Sequence, residues 1–313
     1  MSSSQEPRGP QLVKRYRAFF HIPESAVVTE EMVLEHWDLE RQLTDELKAS
    51  TPEDRWAVFE EAYTRLYREL DWMNKVIETA NRAPDEFQFG DWLFMIGSPP
   101  RSVYEVGSGR GELIRFLATQ GYACKGTEVT RQRGEMLAEH HPNLTWGTTD
   151  GIHLGRFEEA SSFDAVISDQ VIEHLHPDDI VEHFKGAIDI LRPGGSYSFV
   201  TPHRLYGPLD LSRVFGKTEP ECMHLKEYTY REIVVALRDA GFADIRVPLK
   251  LPRKVRRALR GHPRPRLSRA YLRYLMVMES VLGAIPRQTW RNAAARAAKL
   301  ILFEGILINA TKR

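Results

Sequence analysis

The sequence predicts an α/β protein whose core is a doubly wound parallel sheet. From residue 101 to about 248, short apolar runs alternate with amphipathic segments, as parallel strands and their connecting helices require. Several predicted helices end at Gly or Pro, for example at Gly121, Pro142 and Gly241. A glycine-rich turn at 107–111 follows the first apolar run, and ligands of such sheets bind at the ends of the strands.

The apolar periodicity places the individual elements. Strands are predicted at 103–106, 124–129, 144–146, 163–168, 196–201, 245–247 and 305–311. Helices are predicted at 30–49, 113–119, 134–140, 177–191, 230–240, 268–284 and 288–302. Another helix is predicted after residue 50, with Thr51 as its N-cap and Pro52 at its first position.

The predicted organisation has five parts. They are a disordered or extended N-terminus (1–28), a helical cap (29–100), the sheet core (101–249), a basic linker with a helical insertion (250–302) and a final strand of the core (303–313). Ten Lys or Arg residues and no acid occur in the basic segment, residues 250–273. This segment is either a solvated linker or a surface that contacts an anionic substrate, a nucleic acid or an acidic partner.

Composition excludes several classes of protein. Acidic and basic residues are equal in number, at 43 each, so no net charge steers the chain toward nucleic acid. The cysteines, Cys124 and Cys222, are too few and too far apart for a disulfide framework or a paired thiolate metal site. Residues 1–20 lack the apolar run of a signal peptide, and no other run is long enough to span a membrane. We therefore expect a cytoplasmic protein without a membrane span.

The glycine-rich turn indicates a cofactor. Glycine lacks a Cβ, so a turn that contains Gly107 and Gly109 lets a ligand approach the backbone closely. A dinucleotide motif would need glycine at the position of Glu112, which weakens a nicotinamide assignment. Glu128 lies at the end of the next predicted strand, where a carboxylate can bind both hydroxyls of a ribose. Asp150 follows the third strand, where it could meet an adenine amine.

Residues 101–247 resemble the core of class I S-adenosylmethionine-dependent methyltransferases. Glu105 and the glycines at 107, 109 and 111 match the first motif, and Glu128 matches the ribose-binding acid. The resemblance implies a Rossmann-like, seven-stranded sheet whose last strand is antiparallel, with S-adenosyl-L-methionine as cofactor. The cofactor-binding residues that it implies are Glu105, Gly107, Ser108, Gly109, Gly111, Glu128, Val129, Asp150, Gly151, Asp169 and Gln170. The resemblance covers about half of the chain.

Polar segments follow the fourth and fifth predicted strands, where ligands bind in open α/β sheets. The first contains Glu173 and His174, and the second contains His224. We predict that His174 is the base that takes a proton from the acceptor, with Glu173 as its catalytic partner. One carboxylate and two imidazoles also suit a divalent ion, with Mg²⁺ and Mn²⁺ as candidates, which would lower the pKa of a bound hydroxyl.

These segments resemble those of small-RNA 3′-end 2′-O-methyltransferases and, more loosely, of quinone-biosynthesis O-methyltransferases. Glu173, His174 and His224 match the pattern, while Gln170 replaces its first glutamate and removes a charge. The alternative is that Glu173 and His174 form a generic segment of the fold, with the histidine as a metal-free base or a hydrogen-bond partner. We interpret His203 and His176 as surface or structural residues.

The functional hypothesis is an O-methyltransferase that acts on a hydroxyl of a saccharide or a specialised metabolite, and the basic segment suggests an anionic acceptor. The alternatives are an RNA 2′-O-methyltransferase, an N- or C-methyltransferase of a small molecule, and a cofactor-binding scaffold without catalysis. Aromatic residues for stacking RNA bases are sparse near the basic segment, with only Tyr271 and Tyr274, which argues against nucleic acid. The C-terminal helices are candidates for a homodimer interface.

Overall fold

The chain divides into two compact units. The computed structural model describes residues 7–78, 86–131, 133, 140–249, 266–285 and 305–313. One unit, here called the cap unit, consists of Met1–Ala83 and Gly207–Glu227. The other, the sheet unit, consists of Pro84–Tyr206 and Tyr228–Arg313. Each unit is therefore built from two separate stretches of sequence.

The cap unit is helical. Its helices are α1 (Pro10–Phe20), α2 (Glu30–Ala49), α3 (Arg55–Glu69) and α4 (Asp71–Glu78). The segment 207–227 packs on α2, where the Trp37 and Phe215 rings stack with their centroids 4.1 Å apart. Arg41 of α2 also lies 3.9 Å from the carboxylate of Glu221. The sequence assigns 207–227 to the sheet core, but these contacts join it to the N-terminal helices.

The N-terminus differs from the sequence-based expectation. Residues 1–28 are predicted to be disordered or extended, yet Pro10–Phe20 is a helix. Leu12 and Tyr16 of this helix are fully buried, and the Tyr16 hydroxyl lies 2.6 Å from Nδ1 of His36. Contacts with α2 therefore stabilise α1, and the polar composition of its sequence does not reveal them.

The third helix also begins later than predicted. The sequence suggests Thr51 as N-cap and Pro52 as the first helical residue, whereas α3 begins at Arg55. The Asp54 carboxylate accepts hydrogen bonds from the backbone N–H of Thr51 at 2.7 Å and from its hydroxyl at 3.0 Å. Thr51 is thus a donor in a turn before the helix, and its oxygen does not cap the helix.

The sheet unit contains eight strands. They are β1 (Ser102–Val106), β2 (Ala123–Glu128), β3 (Leu144–Thr148), β4 (Phe163–Asp169), β5 (Leu191–Pro202), β6 (Asp244–Pro248), β7 (Leu267–Ser268) and β8 (Gly305–Thr311). Their order is β3-β2-β1-β4-β5-β8-β6-β7. Strands β1 to β5 are parallel, and β8 is antiparallel to both β5 and β6. This confirms the predicted doubly wound sheet with an antiparallel last strand, and the two-residue β7 adds an eighth strand to the predicted seven.

Helices cover both faces of this sheet. They are α5 (Glu86–Ile96), α6 (Glu112–Thr119), α7 (Ile180–Ile190), α8 (Tyr230–Ala240) and α9 (Arg269–Gly283). One apolar cluster joins α7, α8 and α9 to the sheet, and a second joins α5 and α6 to it. Val103 belongs to the second cluster and its neighbour Tyr104 to the first, because successive strand residues point to opposite faces.

A buried carboxylate connects α9 to α8 and β5. Glu279 of α9 accepts hydrogen bonds from the backbone N–H groups of Tyr230 at 2.7 Å and Arg231 at 3.2 Å. Nε2 of His203, at the end of β5, lies 2.8 Å from the same carboxylate. The His203 ring therefore has a structural partner, in agreement with its interpretation from sequence.

Three predicted segments lie wholly or largely outside the described residues: the helix at 134–140, the helix at 288–302, and residues 250–265 of the basic segment. Among the helices that the structure describes, none combines the length and the apolar character needed to cross a membrane. Both cysteines are buried as free thiols.

Candidate functional site

The glycine-rich turn follows the carboxyl end of β1, and its backbone has a conformation that favours glycine. Gly107, Gly109 and Gly111 have φ angles of +66°, +58° and +80°, which other residues rarely adopt. A Cβ on Gly107 would also lie only 2.6 Å from a methyl group of Val171, so no larger residue fits there. The turn then continues into α6 at Glu112. The backbone N–H groups of this turn and of the first helical turn are suited to bind a polar ligand.

Ser108 fixes the turn to the neighbouring strand. Its backbone N–H donates to the carbonyl of Thr127 at 2.9 Å, and its hydroxyl accepts from the Thr127 N–H at 3.1 Å. The Ser108 carbonyl also accepts the N–H of Gly111 at 2.8 Å, so both the side chain and the backbone of Ser108 make hydrogen bonds within the protein. Gly126, beside Thr127 on β2, has no room for a Cβ because Trp146 and the Ser108 hydroxyl lie against it.

Glu128 ends β2 beside this turn. One of its carboxylate oxygens accepts a hydrogen bond from the backbone N–H of Gly109. Burial raises the pKa of Glu128 to about 7, although the N–H groups of Gly109 and Val129 and the charge of Arg133 act in the opposite direction. A buried carboxylate at this position is suited to accept hydroxyl hydrogens from a ribose.

Glu105 lies beneath the turn as a second buried acid. Burial raises its pKa well above the usual range, and the negative charges of Asp169, Glu128 and Glu112 raise it further. Its Oε2 atom has no hydrogen-bond partner among the described residues. This acidic edge of the sheet would repel the pyrophosphate of a dinucleotide and favours a ligand that brings cationic or hydrogen-donating groups.

The turn after β3 contains Asp150 and Gly151. Asp150 accepts hydrogen bonds from the backbone N–H groups of Ile152 and His153, both at 2.8 Å, and its other oxygen lies 2.8 Å from Nδ1 of His153. Gly151 has a φ of +71°. The Asp150 carboxylate therefore stabilises its own turn, and a ligand would meet it in a fixed orientation.

A buried histidine of α7 fixes this turn by a hydrogen bond to its backbone. His183 of α7 donates from Nδ1 to the carbonyl of Gly151, so its Nε2 accepts from the Tyr197 hydroxyl at 2.7 Å. The Ser168 hydroxyl completes the chain at 2.7 Å from the Tyr197 oxygen. Burial lowers the pKa of His183 to about 4, so the ring stays neutral at physiological pH. The chain links the turn after β3 to the end of β4.

The segment after β4 turns sharply toward the glycine-rich turn. Gln170 has a φ of +57°, an uncommon conformation for a residue other than glycine, and its N–H donates to the Val200 carbonyl at 2.9 Å. This bend brings Val171 against Gly107. Asp169 lies close enough to Glu105 to raise the pKa of that acid. The strained residue Gln170 therefore lies where the loops after β1 and β4 meet. Strained backbone conformations are often found at functional sites.

A short helical turn, Ile172–His174, presents the two predicted catalytic residues. Glu173 is fully buried and accepts a hydrogen bond from the Thr201 hydroxyl at 2.9 Å. His174 is partly exposed, and one of its ring nitrogens lies within 4.8 Å of a Glu173 carboxylate oxygen. Both predicted residues thus lie together, with the carboxylate fixed and the imidazole accessible.

His224 belongs to the cap unit. Its Nδ1 lies 2.9 Å from the carboxylate of Glu227, which also accepts the backbone N–H of Leu209 at 2.6 Å. Because the carboxylate is an acceptor, Nδ1 of His224 carries the proton and Nε2 has the lone pair of a base or a ligand. Histidines that bind metals commonly donate their other N–H to a carboxylate in this way.

Sequence reasoning missed three buried polar residues of the site: Thr201, which fixes Glu173, and Tyr197 and His183, which hold the turn at Gly151. Polar residues inside an apolar run are the only signal that they carry, and it does not identify their partners. His176, interpreted from sequence as structural, accepts the N–H of Asp178 at 3.3 Å and caps a short helical turn.

Residues 103–195, which include the glycine-rich turn and the Glu173–His174 segment, match a family model described as a methyltransferase domain. The chain therefore contains a methyltransferase domain. This methyltransferase domain extends from β1 into β5, so the whole cap unit lies outside the match. Helices α5, α8 and α9 and strands β6 to β8 of the sheet unit also lie outside it.

Several solved structures are similar to the chain. An S-adenosylmethionine-dependent methyltransferase from Mesorhizobium loti is 17% identical, with 71% of this chain and 96% of that chain covered and a TM-score of 0.46. One from Archaeoglobus fulgidus is 17% identical, with coverages of 69% and 87% and a TM-score of 0.45. Phosphoethanolamine N-methyltransferase 2 of Haemonchus contortus is 18% identical, with coverages of 73% and 57% and a TM-score of 0.44. No curated protein sequence matches the chain.

The residues of the methyltransferase domain fit S-adenosylmethionine. The buried Glu105 oxygen that lacks a partner can accept a hydrogen bond from the ammonium group of the ligand. Glu128 can accept the ribose hydroxyls, and the ligand's carboxylate suits the N–H groups at the start of α6. The surrounding acids favour the cationic sulfonium over a phosphate.

We expect the affinity for S-adenosylhomocysteine to fall as the pH drops through 7. Only ionised Glu128 accepts hydrogen bonds with both oxygens, and one pH unit below its pKa of about 7 only about a tenth of it is ionised. Calorimetry should therefore give a dissociation constant about tenfold higher at pH 6 than at pH 8. The Glu128→Gln variant should bind weakly with no such trend. An equal pH trend in this variant would assign the titration to another group.

We also expect His183 to affect cofactor affinity through the turn at Gly151. His183→Leu removes the hydrogen-bond partner of the Gly151 carbonyl and of the Tyr197 hydroxyl. We expect the dissociation constant of S-adenosylhomocysteine to rise about tenfold, which corresponds to the loss of one hydrogen bond. His183→Gln, which keeps a donor and an acceptor, should recover part of the affinity. Phe184→Leu, at the next fully buried position, is the control. It should lower the melting temperature and leave the affinity unchanged, and an equal loss of affinity there would refute the positioning role.

Proposed function

We propose that the protein is an O-methyltransferase that transfers a methyl group to a hydroxyl of a saccharide or a specialised metabolite. The observation that carries the proposal is the pairing of buried Glu173 with partly exposed His174 directly after β4. An alcohol is a far weaker acid than an ammonium group, so its methylation depends more strongly on a base at the reaction centre. The packing of Val171 on Gly107 supports a position of this base beside the cofactor turn.

Each residue has a defined part in the proposed reaction. When bound, S-adenosylmethionine supplies an electrophilic methyl group on its sulfonium. His174 takes the proton of the acceptor hydroxyl as the general base. The buried negative charge of Glu173 stabilises the imidazolium that forms. Thr201 holds the Glu173 carboxylate through the hydrogen bond at 2.9 Å.

A divalent ion, Mg²⁺ or Mn²⁺, is the second part of the proposal. Glu173, His174 and His224 provide a carboxylate oxygen and two imidazole nitrogens, a donor set that such ions accept. The Glu227 carboxylate supports this role of His224, because it orients the ring and leaves Nε2 for a ligand. An ion held there would lower the pKa of the acceptor hydroxyl. Gln170 would contribute a neutral oxygen where the resembling enzymes have the first glutamate of the pattern.

The acceptor need not be anionic. The basic segment suggested an anionic acceptor, but Arg269, which lies within it, pairs with Asp244 at the first residue of β6. Because β6 runs parallel to β5, its first residue lies at the edge of the sheet opposite the carboxyl ends that carry Glu128 and Glu173. Neutral hydroxyl compounds are therefore the first acceptors to test.

Calorimetric titration of Mn²⁺ into the protein loaded with S-adenosylhomocysteine tests the ion. We expect saturable binding to the wild type and none to Glu173→Gln or His224→Ala, because each variant lacks one ligand. Glu182→Gln, an exposed glutamate of α7, and His21→Asn, an exposed histidine, are the matched controls and should bind as the wild type does. Absence of binding to the wild type would remove the metal and leave His174 as the base.

Transfer of a labelled methyl group to saccharides, phenols and amines tests the reaction. We expect transfer to hydroxyl compounds, with kcat lowered about 10²- to 10⁴-fold in His174→Ala, which is the usual contribution of a general base. Binding of S-adenosylhomocysteine should be unchanged in this variant, because His174 lies on the acceptor side. Transfer to amines alone, or full activity of His174→Ala with a hydroxyl acceptor, would contradict the proposal.

A further inference from the structure

A cavity of about 340 Å³ lies within the sheet unit, between α8, α9 and the start of β6. Four arginines line it, Arg238, Arg269, Arg273 and Arg313. Its floor is apolar and includes the buried residues Ile245 and Leu272. No acidic residue is part of the described lining.

This cavity is separate from the cofactor site. Arg238 is in the last turn of α8, and Ile245 is the second residue of β6, so both lie at the amino ends of the parallel strands. Thr311, two residues before Arg313, pairs with Asp244 and with Ser196 in the same region. The glycine-rich turn, Glu128 and Glu173 all follow the carboxyl ends of their strands. The whole height of the sheet therefore separates the two sites.

The positive charge in the cavity is only partly neutralised. Arg269 pairs with Asp244, which also accepts a contact from Arg246. Arg238, Arg273 and Arg313 are exposed and have no carboxylate partner among the described residues. Three guanidinium groups around one concavity repel each other unless an anion lies between them.

Guanidinium groups are well suited to bind phosphate. Each presents several N–H donors in a planar fork that matches two oxygens of a phosphate or carboxylate. The three arginines come from α8, from α9 and from the segment that follows β8, so the fold, and not a local charge run, brings them together. A volume of 340 Å³ lies at the small end of the range of ligand pockets. The apolar floor can bind the organic part of a small phosphorylated molecule.

We propose that this cavity binds a small phosphorylated ligand, a diphosphate or a phosphate ester, at a site separate from those of the cofactor and the acceptor. Arg238 and Arg273 are the principal contacts from the two helices, and Arg313 adds a third cation. Arg269 is paired with Asp244 and adds to the positive electrostatic potential in the cavity. The proposal is independent of the proposed O-methylation, because it uses none of the same residues.

Calorimetric titration of inorganic pyrophosphate into the protein of residues 1–313 tests the site. We expect one saturable site whose affinity falls as NaCl is raised, because salt screens the attraction between ions. The double variant Arg238→Gln, Arg273→Gln should bind pyrophosphate about tenfold more weakly or not at all. Both side chains are exposed, so the variant should fold, and an unchanged dissociation constant for S-adenosylhomocysteine would verify this.

The matched control is Arg68→Gln with Arg156→Gln, which removes two exposed arginines elsewhere on the chain. It should retain wild-type affinity for pyrophosphate, which would separate a built site from a general effect of charge. Equal binding by the wild type and both double variants, or no saturable binding to the wild type, would overturn the proposal. Binding of a short RNA that the Arg238, Arg273 variant loses and pyrophosphate does not displace would also overturn it, in favour of a nucleic-acid surface.

Discussion

The close contact between Gly107 and Val171 is the constraint on which the candidate site depends. A Cβ at Gly107 would lie 2.6 Å from Val171, so the loops after β1 and β4 approach each other only because this residue is glycine. The approach also requires the bend at Gln170, whose φ of +57° turns the chain back toward the sheet. As a result, the cofactor turn and the Glu173–His174 segment lie side by side at the carboxyl ends of β1 and β4. These two strands are neighbours in the sheet although β2 and β3 lie between them in the sequence.

The balanced composition of the chain conceals two regions of opposite charge within the sheet unit. The carboxyl ends of the strands carry Glu105, Glu128 and Asp169, and the pKa of Glu105 is raised by its burial and further by the charges of the other two acids. The amino ends carry the arginine-lined cavity. Acids at one edge favour a cationic sulfonium ligand, and guanidinium groups at the other favour phosphate. A net charge of zero therefore says nothing about either site. Salt screens the interaction between exposed charges beyond about a Debye length, roughly 8 Å, so only the charges near a site act on its ligand.

Buried polar side chains provide the rigidity that such a site needs. The chain from Ser168 through Tyr197 and His183 to the Gly151 carbonyl crosses the core, and each hydrogen bond in it replaces one that water would otherwise make. Thr201 does the same for Glu173, and Glu227 for His224. Groups held in this way keep their orientation before a ligand binds, which lowers the cost of ordering the complex.

The sequence by itself predicted the fold class and the positions of the strands around the glycine-rich turn, because periodicity and turn residues are local properties. The cofactor followed from the resemblance of residues 101–247 to class I methyltransferases. The sequence predicted β1 to β6 and α8 to within a few residues of their ends, apart from the early start of β5. It also selected Glu128 for cofactor binding and Glu173 and His174 for catalysis, and these roles stay predictions. Only the tertiary structure decided that α1 is a helix, that 207–227 joins the N-terminal helices, and that Arg238, Arg273 and Arg313 share one cavity. Each of these depends on contacts between residues distant in sequence, and no local pattern of residues encodes such contacts.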